Sequence, residues 1–327
     1  MGTLRTIRAL AVALLLVAAT TDASAQEART APRDTANHAL LSAATTWGYQ
    51  LQDIDVPALA RTPFDVLVVD TDVSKADVAR LRRKPDGKRR LVLAYVNIGE
   101  AEDYRAYWRK AWQKAPPEWM GAANTHWKGD HQVRHWHPHW RAIVFGNPRS
   151  ILAGLIARGF DGAYLDRVDI YAYWCSERPT SFEDMIAFVS DLSSWAKAQQ
   201  RDFLILPQNG EELLASARYR AAIDGIGKED FFFGDRGNDV MNYDTRIALE
   251  LELFAHARRD RLPVLAVEYA RKPENHAIAR KRHAELGHRL YFAPRSLAYI
   301  GQSGPRHAED GDTEPYHARV GRRGCDG

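Results

Sequence analysis

Eight short apolar runs alternate with longer amphipathic stretches along most of this chain, and no motif in it restricts the fold as strongly as that rhythm does. The runs are Thr46 to Leu51, Val66 to Asp70, Leu91 to Ile98, Gly162 to Asp166, Phe203 to Pro207, Gly225 to Glu229, Val264 to Tyr269 and Arg289 to Ala293. Between them lie helical patterns over Ser74 to Lys84, Pro148 to Arg158, Ser181 to Gln200, Thr245 to Asp260 and Asn275 to Leu286. Ser74 with Asp77, and Ser181 with Asp184, read as capping boxes that open two of these helices. Strands that alternate with helices pair in parallel through right-handed crossovers. Eight strands in roughly 250 residues is the count of a closed (β/α)8 TIM barrel, α/β in class and built as a single domain. An open doubly wound sheet would carry a glycine-rich phosphate loop after its first strand. Trp47-Gly48-Tyr49-Gln50-Leu51 has no such loop.

The barrel is expected over 45–301. In front of it, Arg5 and Arg8 precede an apolar run from Ala9 to Ala19, and Ala23-Ser24-Ala25 supplies a small-residue cleavage site. That pattern reads as a secretory signal peptide over 1–25, with the apolar run too short to span a bilayer. The expected location is therefore outside the cytoplasm, secreted or periplasmic, without stable membrane insertion and as a monomer. Residues 26–44 read as a polar leader without periodicity, and 302–327 as a disordered tail poor in apolar residues. The cysteines are Cys175 and Cys325, and pairing or two free thiols are both open. The basic run Arg82-Arg83-Lys84 and Lys88-Arg89-Arg90 falls between a helix and a strand and reads as a solvated turn. With a net charge of +3 and no nucleic-acid motif, no nucleic-acid partner is expected.

Side chains alternate across a strand, so residues two apart share a face. Asp166 then lines up with Tyr164 and Gly162, Asp70 with Val68 and Val66, Glu229 with Gly227 and Gly225, and Glu268 with Ala266 and Val264. Each acid ends its strand, at the carboxyl-end rim where a barrel builds its active site. Acids at strand ends are also ordinary helix caps, but four on one face point to a shared mouth. Crowded carboxyls resist joint ionisation, so one stays protonated as an acid while another is charged. That division of labour is what glycoside hydrolysis uses. Aromatic residues gather near the same ends, among them Trp47, Tyr49, Tyr95, Tyr104, Tyr107, Trp108, Trp136, Trp140, Tyr164, Tyr171 and Trp174. Their faces suit the apolar side of a pyranose, although core packing claims many of them. A long insertion over 104–147 holds five histidines between His126 and His139, but no zinc spacing. Neither metal nor cofactor is assigned.

Several stretches together resemble the glycoside hydrolase family 114 barrels, related to endo-α-1,4-polygalactosaminidase. They are Trp47-Gly48-Tyr49-Gln50-Leu51, the run from Ala94 to Arg105, Gly159-Phe160-Asp161-Gly162-Ala163-Tyr164-Leu165-Asp166, Gln208-Asn209-Gly210, and the run from Gly225 to Phe232. The resemblance implies Asp166 as nucleophile and Glu229 as general acid/base of a retaining mechanism. It also implies Asp70, Tyr95, Asn97, Asn209 and Tyr269 around the sugar, and a galactosamine-type polymer as substrate. Tyr164, Trp136 and Glu268 join them as candidate sugar contacts, Glu268 also as the fallback catalytic partner. The acids Asp70, Asp72, Glu100, Glu102, Asp103, Asp169 and Glu211 would favour a cationic amino sugar. Two other readings remain, a carbohydrate-binding barrel without turnover and a metal-dependent hydrolase or deacetylase using the histidine-rich insertion.

Overall fold

The computed structural model describes residues 33–301 and Cys325. Eight parallel strands form its centre: β1 (Trp47–Gln50), β2 (Val66–Val69), β3 (Leu91–Asn97), β4 (Gly162–Asp166), β5 (Leu204–Pro207), β6 (Ile226–Glu229), β7 (Val264–Glu268) and β8 (Arg289–Phe292). Neighbours in sequence are neighbours in space. Trp47 faces Val66, Val66 faces Leu91, Leu93 faces Gly162 and Gly162 faces Leu204. A bridge between Gln208 and Gly227 carries the order from β5 to β6, and β7 and β8 follow. The ring closes where the Trp47 indole donates to the Arg289 carbonyl of β8 at 2.8 Å. The chain is a (β/α)8 barrel, as the rhythm of apolar runs predicts.

One face of every strand fills the interior. Trp47, Tyr49, Val68, Leu93, Tyr164, Leu206, Leu265, Val267 and Tyr291 pack there in one buried cluster. Two glycines make room for it. A Cβ on Gly227 would sit 1.9 Å from the Tyr164 hydroxyl, and one on Gly162 2.4 Å from the Leu204 carbonyl oxygen. Only a residue without a side chain lets Tyr164 reach across the barrel and lets β4 meet β5.

The helices fall close to their expected places, with one cap misassigned. Ser74 caps Lys75–Leu81 by accepting from Asp77 N. Ser181 does not cap its helix: the N-cap of Ser181–Gln199 is Thr180, and Ser181 is buried inside the first turn. The leader is also corrected in part. Residues Ala36–Ala43 form a helix, opened by Thr35 and buried through Asn37, His38 and Leu41. Its apolar side is one turn wide, too narrow for periodicity to show. The insertion after β3 builds a small antiparallel sheet from Glu100–Glu102, Met120–Ala123 and Asp130–Val133.

The basic run is a solvated turn in part, with Arg83 and Lys88 exposed and the other arginines engaged. Arg90 is buried and donates to the carbonyls of Leu59, Thr62 and Phe64, while Arg82 and Arg89 pair with the buried Asp161. These guanidiniums satisfy carbonyls and an acid that the barrel's amino end would otherwise leave unpaired, and an Arg fork suits that task.

The signal peptide, the first residues of the leader, and the tail other than Cys325 lie outside the described residues. Among the described residues no helix is long and apolar enough to cross a membrane. Cys175, after β4, is joined to Cys325 in a disulfide with a sequence separation of 150 residues. Closing so long a loop removes denatured-state entropy worth about 5 kcal/mol on the chain-entropy model. Cys325→Ser is therefore expected to lower the melting temperature, and reductant to lower that of the wild type alone. Equal melting of both proteins in oxidising buffer would refute this role.

Candidate active site

The strand ends of β4, β5 and β6 share an uncommon backbone. Arg167, Asn209 and Asp230, each near the end of its strand, have positive φ of 59°, 59° and 52°. Non-glycine residues there cost energy, about 1–3 kcal/mol each, and such strain gathers at functional sites. At β4 the kink folds Arg167 N back onto Asp166 Oδ1 at 2.7 Å. At β5 it turns Asn209 toward β6, where its Oδ1 accepts from Glu229 N and its Nδ2 donates to Glu229 Oε2, both at 3.1 Å.

The kinks at Arg167 and Asn209 open onto a cavity of about 580 Å³ at the carboxyl-end mouth. Asp166 and Glu229 lie at its floor, partly exposed to it. The Gln208 amide stands between them, its Nε2 3.1 Å from Asp166 Oδ1 and 2.9 Å from Glu229 Oε2. Those oxygens can be no farther apart than the two bonds laid end to end. So close an approach of one oxygen from each carboxyl suits the roughly 5–5.5 Å spacing that retaining glycosidases use. Tyr95 donates to Asp166 Oδ2 at 2.7 Å, and Tyr269 to Glu229 Oε1.

The electrostatics separate the pair. Burial pushes Asp166 up to about 6, held back by the Tyr95 hydroxyl and the Arg167 cation. Burial pushes Glu229 up to about 7, with the charges of Asp166 and Asp230 adding to it. Neighbouring cations are engaged elsewhere. Arg167 pairs with Glu100 and Asp169, and Arg295 with Asp230. Both carboxyls are thus drawn toward the protonated form, and the charge of Asp166 favours the proton on Glu229.

Of the other candidates, Asp70, Tyr95, Asn97, Asn209 and Tyr269 line the cavity. Asp70 is tied to Arg105 at 2.8 Å, and Asn97 accepts from Gly99 N and Glu100 N, shaping the turn after β3. Three candidates are not in it. Tyr164 is buried inside the barrel below the cavity and does not line it. Trp136 packs against Trp174 under Arg178, outside the cavity. Glu268 points away from the mouth into the helical layer. It is fully buried, accepts from Phe232 N and Phe233 N, and shares a hydrogen bond with His283 Nε2. The register explains this. Glu229 faces Val267 across the parallel pair, so an inward Glu229 makes Val267 inward and Glu268 outward. Tyr269 takes the inward place instead.

Among the acids proposed for a cationic sugar, Asp70, Glu100, Glu102 and Asp169 line the cavity, whereas Asp72, Asp103 and Glu211 do not. Glu211 lies in a buried ion cluster with Lys228 and Arg246. Gln208 and Asp130 are among the lining residues that escaped the sequence reading. Gln208 carries no charge to mark it, and Asp130 sits among the histidines of the insertion. Burial and the nearby Glu102 and Glu100 push Asp130 up to about 8. The histidines scatter: His135 is buried against Ser181 O, His137 caps Pro138–Val144, and His126 reaches the cavity wall.

A family model described as glycoside-hydrolase family GH114 matches residues 25–308. An uncharacterized protein of Deinococcus radiodurans is 34% identical over 266 residues, covering 79% of this chain and 82% of that one. One of Methanocaldococcus jannaschii is 36% identical over 202 residues, and the match spans 57% of this chain and only 56% of that protein. Among solved structures, Aspergillus fumigatus Ega3 in complex with galactosamine superposes with a TM-score of 0.60 at 17% identity, over 79% of this chain and 95% of that one. The glycoside hydrolase domain of PelA from Pseudomonas aeruginosa gives 0.61 at 18%, over 80% and 98%. Both share the fold.

Two outcomes follow from the buried acids. Glu229 titrates about 7 in the folded chain against an ordinary 4.5, so its contribution to stability is full below 4.5 and is lost as pH rises through 7. Glu229→Gln removes that loss, so its melting temperature relative to wild type should climb between pH 5 and pH 8; a difference independent of pH refutes it. Glu268→Gln puts an NH2 against one of two backbone donors and should cost about 1–3 kcal/mol in urea unfolding. An unchanged midpoint would show that the Glu268 carboxyl does not hold the chain after β6.

Proposed function

This chain belongs to glycoside-hydrolase family GH114, and from that premise we propose that Asp166 and Glu229 cleave an amino-sugar polysaccharide with retention at the anomeric carbon. The observation that carries this reading is the one amide nitrogen of Gln208 bonded to both carboxylates, which keeps them close enough to work on opposite ends of one glycosidic bond. Asp166 attacks the anomeric carbon as Glu229 gives its proton to the departing oxygen. The carbon–oxygen bond breaks and a glycosyl ester forms on Asp166. Glu229, now ionised, takes a proton from water as the water displaces the ester, and both carboxyls return to their starting states. The raised pKa of each group fits its part, Glu229 staying protonated to higher pH than Asp166.

The substrate reading rests on charge. Asp70, Glu100, Glu102, Asp130 and Asp169 surround the mouth, and Arg105 and Arg167 neutralise only some of them. Asp130 has its proton held by burial and by neighbouring acids, and an ammonium would relieve that crowding. The sugar in the Ega3 structure, galactosamine, has such an amine. A galactosamine-type polymer with free amines is therefore the substrate we favour. The charged start, apolar run and Ala23-Ser24-Ala25 site support export of the enzyme.

Incubation with amino-sugar polymers should release new reducing ends. Asp166→Asn should abolish the release and Glu229→Gln lower it by about 10²–10⁴-fold. Polymer binding without reducing ends from the wild type would favour a binding barrel instead. The rate should be highest between about pH 6 and pH 7, rising as Asp166 ionises and falling as Glu229 does. A rate that keeps rising to pH 9 contradicts the assignment. Raising salt from 0.05 to 0.5 M, roughly the range over which surface fields are screened, should weaken cleavage; cleavage of a neutral polymer untouched by salt would count against an amine-bearing substrate.

A further inference from the structure

The two carboxylates are held in the same way. Each has one oxygen saturated by N–H donors. Asp166 Oδ1 accepts from Arg167 N at 2.7 Å and Gln208 Nε2 at 3.1 Å. Glu229 Oε2 accepts from Gln208 Nε2 at 2.9 Å and Asn209 Nδ2 at 3.1 Å. The other oxygen of each meets a tyrosine hydroxyl, Tyr95 for Asp166 Oδ2 and Tyr269 for Glu229 Oε1. Gln208 belongs to both sets. It is 2% exposed, so its side chain cannot swing to solvent. Its amide points this way round because its carbonyl oxygen in that place would face Asp166 Oδ1, an acceptor, with no proton between them.

We infer that Gln208 is a positioning residue that decides which oxygens react: its amide, shared by Asp166 Oδ1 and Glu229 Oε2, leaves the chemistry to Asp166 Oδ2 and Glu229 Oε1. An oxygen that accepts two N–H bonds has no room for a proton of its own. The proton of the acid form of Glu229 therefore sits on Oε1, beside Tyr269. That hydroxyl accepts while Glu229 is protonated and donates once it is ionised, since an O–H can turn to either role. On Asp166, Oδ2 carries one hydrogen bond against two on Oδ1, so it is the better electron-pair donor toward carbon. This inference rests on Asp166 and Glu229 being the catalytic pair and adds the group that orients them. Gln208 itself exchanges no proton and forms no bond to the sugar.

The test uses Gln208→Met, which keeps the volume and removes the donor. A lost hydrogen bond to charged groups should lower kcat by about 10–100-fold, with KM changed by no more than about twofold. Both limbs of the pH–rate profile should move to higher pH, because each carboxylate loses a donor that favours its charged form. A purely structural role would leave the limbs in place, and an unchanged kcat and profile overturn the proposal. Neutron diffraction of the wild type at pH 6 gives a readout that needs no variant. A deuteron on Glu229 Oε1 supports the proposal and one on Oε2 overturns it. Asp166→Asn and Glu229→Gln separate the two levels. Activity surviving in them ends the catalytic reading itself, whereas activity lost in them but kept by Gln208→Met ends only the role of Gln208.

Discussion

Two carboxyl groups are held at the floor of a barrel mouth by neutral donors, and most of the surrounding structure serves that arrangement. A guanidinium bonded to them would hold both in the ionised form. Here the nearby arginines are engaged by other acids, Arg167 by Glu100 and Asp169 and Arg295 by Asp230. What touches Asp166 and Glu229 instead are an amide shared between them, a second amide, two tyrosine hydroxyls and one backbone N–H. Such bonds fix position while letting burial raise the pKa values.

The layers around this floor keep it rigid. Beneath it, Tyr164 crosses the barrel interior through the space that Gly227 leaves open. Outside β6, buried Lys228 meets Glu211 and Glu250, and Arg246 joins the same acids. Outside β7, Glu268 holds the backbone of Phe232 and Phe233, and His283 backs it. Both clusters grip the segments that follow β5 and β6, which carry Asn209 and Asp230 in their strained conformations. Strain of that kind persists only where the surroundings over-determine it.

The insertion after β3 gives the mouth its chemical character. It contributes Asp130 and His126 to the wall, and Tyr104 and Trp127 stand exposed at its edge. The barrel supplies the floor that carries Asp166 and Glu229, while this added sheet shapes one side of the space above it. Fold and wall are separable, which is how one architecture serves different sugars.

The amino-acid order by itself determined the eight strands, the closed barrel and the inward faces of β2, β4 and β6. In those strands an acid or a glycine breaks the apolar pattern and marks the phase. It misled on the phase of β7: Val264–Glu268 is buried on both faces, so alternation carries no signal, and the strand-end acid that marks the inward face elsewhere turns to the helices here. Only pairing with β6, Glu229 against Val267, turned Glu268 outward and Tyr269 inward. The same limit applies to Gln208, Asp130 and the basic run ending in Arg90. An amide between two acids, an acid delivered by a distant hairpin and a guanidinium gathering carbonyls are partnerships across long stretches of chain. Local composition cannot show them, since a polar side chain reads alike in solvent and in a buried network until the fold brings its partners to it.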